Sequence, residues 1–306
     1  MKKLFFLAIS FLIPASAALC QVTEAEKALK TQVVDSLLGW KKGGIFNIST
    51  AQTSLTNWSA GGQSSISVNG LLNMFAHNKT EKSLWENYLV LGYGTMKQEE
   101  TGWWKTDDKI DFTSKYGREI TEKLYYAALL SFKTQMTNGY NYPNDSVKIS
   151  DFLAPGYLLI AAGLDYVPMP NLTLYFAPIT YKLTIVNDDA LSEAGAYGVD
   201  PGAHSKSEFG GYIRGSLQKD LMENVTLQTK LDLFTNYLEN FGNWDVSWET
   251  LLSLKVNKFI SATISTHLLY DQDMAVIKDN DDGEPQEYHS KVQFKEMLAV
   301  GLSVKF

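Results

Sequence analysis

The sequence predicts an all-β fold: a transmembrane, antiparallel, up-and-down β-barrel of about twelve strands that follows a short N-terminal helix. Three observations predict this fold. From Gly44 onward apolar and polar residues alternate with a period of two, the alternating stretches are long, and long connections alternate with short ones. The stretches contain about 11–14 residues, whereas strands of soluble proteins usually contain about 5–6. A tilted strand needs about 9–11 residues to cross a bilayer.

The first residues predict export across a membrane. Residues 1–20 combine a basic start at Lys2 and Lys3, an apolar run and small residues after Pro14, which is typical of a cleaved signal peptide. Cleavage after Ala17 and cleavage after Cys20 both fit this pattern. Because the chain contains 1 cysteine, cleavage after Cys20 leaves no thiol or disulfide chemistry in the mature protein.

Residues 21–39 predict a helix that lies in the periplasm. Thr23 and Glu26 have the spacing of a capping box, apolar residues recur at helical spacing, and Gly39 is a stop signal. Residues 40–306 then form the barrel. The predicted strands are about 44–54, 63–75, 84–96, 107–117, 123–136, 155–167, 171–181, 207–219, 223–237, 245–257, 259–271 and 290–306.

The last of these strands alternates most strictly. Apolar residues from Val292 to Phe306 fall on even positions, and Lys291, Lys295 and Lys305 fall on odd ones. Successive strand residues point to opposite faces, so the strand has one apolar and one charged face. An unpaired strand edge is not tolerated in lipid, so we expect this strand to close the barrel against the first.

The apolar face is predicted to contact lipid. A soluble barrel of the lipocalin type has the same period with its faces exchanged. Strand length and the position of the tryptophans favour the membrane barrel, because aromatic rings gather at membrane interfaces. The tryptophans near predicted strand ends are Trp40, Trp58, Trp85, Trp103, Trp104, Trp244 and Trp248. The expected partners are therefore the lipid and lipopolysaccharide of an outer membrane.

The other face of the strands carries charges of both signs, which gives the candidate lumen lining. We expect net basic character there, since lysines outnumber acids on this face. These charges fit an anion-preferring passage for a small solute, and they fit equally well a ladder of cross-strand salt bridges that fills a narrow interior. The candidate lining residues are Lys109, Asp111, Lys115, Lys133, Arg214, Lys230, Asp232, Glu249, Lys255, His267 and Lys295.

The loop after the first strand contains the phrase NWSAGG. Asn57, Trp58, Gly61 and Gly62 form either a recognition loop that presents an aromatic ring, or an interfacial anchor followed by a tight turn. The structural interpretation is the simpler one.

The sequence predicts no enzyme, no cofactor and no metal site. Ser265 and His267 share a strand face, but that face is the polar one, and no partner carboxamide is evident. His77, His204 and His289 lie in separate connections without ligand spacing. The net charge is −7 with mixed signs, so nucleic acid is not an expected partner.

Several phrases resemble a family of uncharacterised outer-membrane proteins of Bacteroidota, domain of unknown function 3078. The phrases are QTSLTNWSAGGQSSIS, KTDDKIDFTSKYG, SFKTQMTNGY, SDFLAPGYLL, FAPITYKLTIV, LLYDQD and VQFKEMLAVGLSVKF. The resemblance implies a barrel in the outer membrane of a Gram-negative bacterium, and it implies no activity. Phe306 also resembles the C-terminal signal that such barrels present to the barrel-assembly machinery.

These observations leave three hypotheses about function. The first is a porin-like barrel that lets a small solute pass through a narrow, charge-lined lumen. The second is a closed barrel with a structural or partner-binding role through its external loops, above all 182–206 and 272–289. The third, an outer-membrane lipid hydrolase, lacks a catalytic pair on the lipid-facing side.

Overall fold

The computed structural model describes residues 38–54, 64–98, 102–142, 145–169, 171–239, 241–255, 260–272, 275–279, 285–289, 292–302 and 304–305. The predicted signal peptide, the helix predicted over 21–39 apart from its last two residues, the loop residues Asn57, Trp58, Gly61 and Gly62, and Phe306 lie outside these ranges.

Thirteen antiparallel strands form one sheet. They are β1 (Gly39–Thr53), β2 (Ser65–Lys79), β3 (Ser83–Gln98), β4 (Trp103–Thr121), β5 (Leu124–Thr134), β8 (Gly156–Met169), β9 (Leu172–Ile185), β10 (Ser205–Met222), β11 (Val225–Asn236), β12 (Asp245–Lys255), β13 (Ile260–Tyr270), β16 (Gln293–Leu302) and β17 (Val304–Lys305). Two further hairpins lie in the long connections: β6 (Gly139–Tyr140) with β7 (Lys148–Ser150), and β14 (Ala275–Asp279) with β15 (Pro285–His289). The connection after β9 also holds α1 (Asp189–Glu193) and a short 3₁₀ helix (Ala196–Gly198).

Along the chain from β1 to β16, each strand of the large sheet pairs with the next strand of that sheet. This is an up-and-down arrangement. The order begins with β16 and ends with β17, so these two strands lie at its two edges. β16 pairs with β13, and β17 pairs with β1 through Ile45–Lys305 and Phe46–Val304. Only Ser303 separates β16 from β17 in the chain.

The connections fall into two classes at opposite ends of the strands. Short turns such as 80–82, 122–123 and 223–224 define the turn end, and longer connections such as 135–155 and 186–204 define the loop end. The strands predicted at 155–167 and 171–181, which alternate least well, are present as β8 and β9. The predicted strands 84–96 and 107–117 leave residues 97–106 for a loop, but the connection from β3 to β4 spans 99–102 because β4 begins at Trp103. The longer predicted loop is therefore wrong. The hairpins β6–β7 and β14–β15 were not predicted.

The two faces of the sheet differ in the direction that the alternation predicts. On one face, large apolar side chains are exposed, among them Phe46, Met74, Tyr93, Tyr116, Leu130, Ile160, Phe176, Leu231, Trp248 and Phe294. On the other face, polar side chains are buried, among them Asn69, Asn73, His77, Glu86, Ser131, Asp165, Glu208 and Gln228. This arrangement inverts that of a soluble protein, in which charged groups are almost never fully buried.

Two β-bulges border β9 and bend the sheet. The register shifts between Ala162 and Leu164 where β8 meets β9, and between Gly210 and Tyr212 where β10 meets β9. A Cβ atom at Gly163 would lie 2.0 Å from the Phe176 carbonyl oxygen, and one at Gly210 would lie 1.9 Å from that of Thr235. These glycines therefore permit close backbone approach, and bulges increase local twist and curvature.

Within the described parts of the chain, no helix is long and apolar enough to cross a membrane.

Candidate functional site

The candidate site is the buried polar face of the sheet, which we call the polar interior. Its best-formed contact joins Arg214 on β10 to Asp232 on β11, which are direct partners in the strand register. Arg214 donates from Nε to Asp232 Oδ1 over 2.6 Å and from Nη2 to Oδ2 over 3.2 Å. The Tyr212 hydroxyl donates to the same carboxylate over 2.7 Å. Such fork-like pairing satisfies both buried charges, and the geometry fixes the register of the two strands.

Two other pairs of predicted lining residues extend this pattern. Lys230 Nζ lies 2.9 Å from Glu249 Oε1, and Lys133 Nζ lies 3.8 Å from Asp111 Oδ2. Both pairs are register partners on neighbouring strands. The Glu249 side chain remains 41% exposed and that of Lys133 38% exposed, so these charges border open space. The predicted ladder of cross-strand salt bridges is therefore present among these residues.

Lys115 forms a second cluster nearer the turn end. Its Nζ lies 3.0 Å from Glu86 Oε2 on β3 and donates to Asp165 Oδ2 on β8 over 2.8 Å. Since β5 lies between β4 and β8, the second contact links strands that are not neighbours. One buried ammonium group thus neutralises carboxylates from both directions along the sheet.

A third cluster near the loop end is centred on Lys182 of β9. Its Nζ lies 3.1 Å from Glu208 Oε2 on β10 and 2.9 Å from Asp245 Oδ2 on β12. Asp271, which follows β13, is 4.0 Å away, and the Phe234 ring centroid is 4.8 Å away. β9 and β12 are three strand spacings apart, or about 14 Å in a flat sheet. The contact therefore requires the sheet to curve with its polar face inside.

The remaining predicted lining residues contribute less. The stem of Lys109 lies over Gly92, where an added Cβ atom would be 3.3 Å from Lys109 Cγ. His267 shares a hydrogen bond of 3.0 Å with the Ser247 hydroxyl through Nε2. The predicted same-strand partner, Ser265, and the lining residues Lys255 and Lys295 have side chains outside the described part of the structure.

The sequence did not predict that apolar side chains fill part of the polar interior. Tyr175 and Tyr212 pack at 6.2 Å between ring centroids in a buried cluster with Leu129, Phe234 and small residues. The Tyr175 hydroxyl donates to the Ala161 carbonyl oxygen over 2.9 Å, which satisfies its polar end. Buried tyrosines usually find such a partner. Ala127, Ala161 and Ala177 belong to the same cluster, and their small side chains leave room for the two rings.

Sequence reasoning also missed four charged residues of the interior: Asp165, Lys182, Glu208 and Asp245. Three of them are acidic, and each contacts a lysine. They bring the described interior closer to charge balance than the predicted net basic lining. Asp165 and Lys182 lie in or beside the two predicted strands with the weakest alternation, which is why the face assignment there failed.

The connections at the loop end pack on one another. Ala154, Val186, Leu191 and Val199 form a small buried group, with Tyr197 against it; we call this the loop-end cluster. The Tyr197 hydroxyl donates to the Ile149 carbonyl oxygen, and burial raises the pKa of Tyr197 to about 12. The cluster joins the two longest described connections into one surface.

Charged groups hold the loop-end cluster together. Lys148 Nζ lies 2.8 Å from Asp151 Oδ2 and 2.9 Å from Asp188 Oδ2. These hydrogen bonds lower the pKa of both carboxyls, and for Asp188 the Leu191 amide adds to the effect. Asp188 Oδ1 accepts that amide hydrogen over 2.9 Å and caps α1. Among the described residues, no group of three or more His, Cys, Asp or Glu side chains is placed to hold a metal ion.

Comparison with known proteins adds two findings. Residues 50–140 match the model of a family described as a protein of unknown function (DUF3078), which confirms over that stretch the family resemblance predicted from the sequence. No curated protein matches the chain. Among solved structures, the chain is similar to the translocator domain of the autotransporter NalP from Neisseria meningitidis, with 12% identity and a TM-score of 0.39, over 92% of this chain and 93% of that one.

Proposed function

We propose that this chain is an outer-membrane β-barrel with a constricted interior, which acts through the structured surface at its loop end. The observation that carries the proposal is the inverted distribution of side chains. Trp248 is 50% exposed and Phe176 is 52% exposed, while Glu208 and Asp165 on the other face are 4% and 5% exposed. An exposed apolar surface of this extent is stable only in apolar surroundings. The hydrocarbon core of a membrane provides such surroundings, and a curved sheet with a charged interior is suited to it.

Two further observations support a closed barrel. β16 and β17 occupy the two edges of the strand order and are consecutive in the chain. If they form one strand, both edges are paired, the barrel has twelve strands, and the backbone groups at the edges gain partners, as lipid requires. Exposed aromatic rings also occur towards both ends of the strands. Trp40 and Trp85 meet at 5.6 Å at the turn end, and Tyr237 and Phe241 meet at 5.7 Å at the loop end.

The constricted interior and the loop-end cluster support the proposed action through the surface at the loop end. Lys182 ties β9 to β12 near the loop end, and an aromatic cluster lies beneath it. The loop-end cluster gives the long connections a fixed shape, which a surface for a partner or for the envelope needs and a simple pore does not.

A topology experiment tests the proposal. Ser146 is exposed in the connection that contributes to the loop-end cluster, and Lys82 is exposed in a short turn. With Cys20 as the 1 native cysteine, in the predicted signal peptide, Ser146→Cys and Lys82→Cys give sites with low background. We expect a membrane-impermeant maleimide to label Ser146→Cys on intact cells and Lys82→Cys only after permeabilisation. Equal labelling of both sites in intact cells contradicts the proposed orientation.

Passage of a small solute is the second candidate, and one observation favours it. The side chains of Glu249, Lys133 and Asp111 are 41%, 38% and 28% exposed on the polar face, so solvent reaches these charges. Conductance of the purified protein in a planar bilayer separates the candidates. A constricted barrel stays at the empty-membrane baseline, and steady current steps support passage.

A further inference from the structure

The Lys182 cluster lies at the mouth of the polar interior at its loop end. Lys182 is close to the loop end of β9, Glu208 is near the start of β10, and Asp245 begins β12. Three carboxylates therefore meet one ammonium group at the level where a solute would enter. Beyond this cluster, towards the turn end, the side chains of Lys230 and Glu249 are 29% and 41% exposed. Below the mouth the interior therefore holds these partly exposed charges beside the buried rings of Tyr175 and Tyr212.

Within the described part of the chain, Lys182 is the cation that joins Glu208 to Asp245. Glu208 is the register partner of Lys182, but Asp245 belongs to a strand three spacings away. Without the ammonium group, Glu208, Asp245 and Asp271 would face one another as like charges. Like charges in partly buried surroundings repel strongly because screening by water is weak. The same contacts that draw β12 towards β9 would then push the two strands apart.

The groups around the Lys182 Nζ atom also stabilise a positive charge at this position. The Phe234 ring centroid lies 4.8 Å from Nζ, which places a cation over an aromatic face. The Glu208 side chain is 4% exposed, so this carboxylate is desolvated and needs a cation beside it. The Lys182 side chain is 17% exposed, so most of it is shielded from solvent.

We infer that Lys182 is a latch that closes the interior at its loop end, and that its release opens a cation-preferring path. The inference rests on the proposed membrane barrel and adds a second function to it, a gated passage. The latch is the contact between Lys182 and Asp245, because this ion pair joins strands that are not neighbours. The other short ion pair, Lys182 with Glu208, joins adjacent strands. The path prefers cations because the carboxylates at the mouth outnumber the ammonium group.

Two variants release the latch with opposite effects on charge. Lys182→Met removes the ammonium group and leaves three carboxylates, while Asp245→Asn breaks the same contact and keeps the ammonium group with Glu208. Lys206→Met is the matched control: it removes a neighbouring loop-end lysine whose ion pair, to Glu239 at 3.7 Å, lies at the rim. Retention of the folded form is checked for each variant by its heat-sensitive mobility in electrophoresis.

Conductance in planar bilayers under a KCl gradient gives the result. We expect the wild type and Lys206→Met to stay at baseline and both latch variants to show current steps. The reversal potential should shift towards the potassium potential, and further for Lys182→Met than for Asp245→Asn. If Lys182→Met does not fold, current from Asp245→Asn alone still supports the latch.

Several outcomes overturn the inference. Folded latch variants that both stay at baseline show that the contact closes nothing. Equal reversal potentials in the two variants show that the path does not run past these carboxylates. If the wild type itself conducts as well as the variants, the latch fails together with the constricted barrel. If the wild type and the variants are all closed, only the latch fails.

Discussion

Arg214 with Asp232 and Lys182 with Asp245 are both ion pairs of the polar interior, but they join different parts of the sheet. Arg214 and Asp232 are register partners on neighbouring strands, and their contact follows from strand pairing alone. Lys182 and Asp245 lie on strands three spacings apart, and their contact depends on curvature. The first kind of pair stabilises the local register, whereas the second depends on the curvature of the whole sheet. The consequences of breaking each therefore differ.

The largest expected effect is that of Asp232→Ala. The substitution leaves the Arg214 guanidinium buried without its carboxylate, and removing one partner of such a pair costs about 3–5 kcal/mol. The free energy of unfolding in denaturant, measured in lipid or detergent, gives the result. The double variant Arg214→Leu with Asp232→Leu is the control and should lose less stability, because no buried charge remains alone. A loss below about 1 kcal/mol for Asp232→Ala contradicts the structural importance of the pair.

Gly210→Ala comes next and acts on curvature. The added Cβ atom would lie 1.9 Å from the Thr235 carbonyl oxygen, so the bulge beside β9 has to shift. Overpacking of this kind costs about 1–3 kcal/mol. Gly215→Ala on the same strand is the control, since its Cβ atom would meet only Leu174 Cδ2 at 3.7 Å. Equal unfolding free energies for the two variants would show that the bulge adapts freely.

Double-mutant cycles sharpen the comparison between the two kinds of pair. We expect coupling of about 0.5–3 kcal/mol both for Lys230→Met with Glu249→Gln and for Lys182→Met with Asp245→Asn. In a Gly210→Ala background, the second coupling should fall while the first persists, because only the second depends on the bend. Unfolding free energies of the four members of each cycle provide the values. Loss of both couplings together indicates a general collapse of the interior.

The loop-end cluster should weaken in acid. Hydrogen bonds from Lys148 lower the pKa of Asp151 and Asp188 below their unfolded values. A lowered carboxyl pKa contributes stability above the unfolded value, about 4, and this stability is lost as the pH falls through the folded value. Hydrogen exchange of the Leu153 and Asn187 amides, corrected for the intrinsic rate, should therefore accelerate below about pH 4. In Lys148→Met, exchange should already be fast at neutral pH, and an unchanged acid transition in that variant contradicts the assignment.

The smallest effect is expected at the rim. Glu239 lies 3.7 Å from Lys206, and its side chain is 63% exposed. Exposed ion pairs contribute about 0–1 kcal/mol, so Glu239→Ala should change the unfolding free energy little. The result calibrates the other variants, because the Glu239 carboxylate is mostly exposed to water, unlike that of Asp232. A loss as large as that of Asp232→Ala would mean that burial does not distinguish the two pairs.

The same distinction explains how much the sequence could predict. The predicted ranges overlap all thirteen strands of the large sheet, with β16 and β17 both inside the single range 290–306, because alternation is a local property. The apolar face of these strands, which includes Leu231 and Trp248, is the exposed one. The alternation also placed Lys230 and Glu249 on one face, where register makes them partners. The contacts of Lys182 were out of reach, since bulges at Gly163 and Gly210 shift the faces and bend the sheet. The buried tyrosines were missed for a related reason: an inward-facing aromatic ring and an outward-facing one follow the same alternation.

The pairing of Ile45 with Lys305 has a consequence for assembly. These residues are 260 positions apart (305 minus 45), whereas most other pairings of the sheet join strands that follow one another directly in the chain. Contacts between distant positions form late, since bringing the ends of a long chain together costs entropy before any contact offsets it. The hairpins can therefore form one by one, while the pairing of β1 with β17 waits for the complete polypeptide.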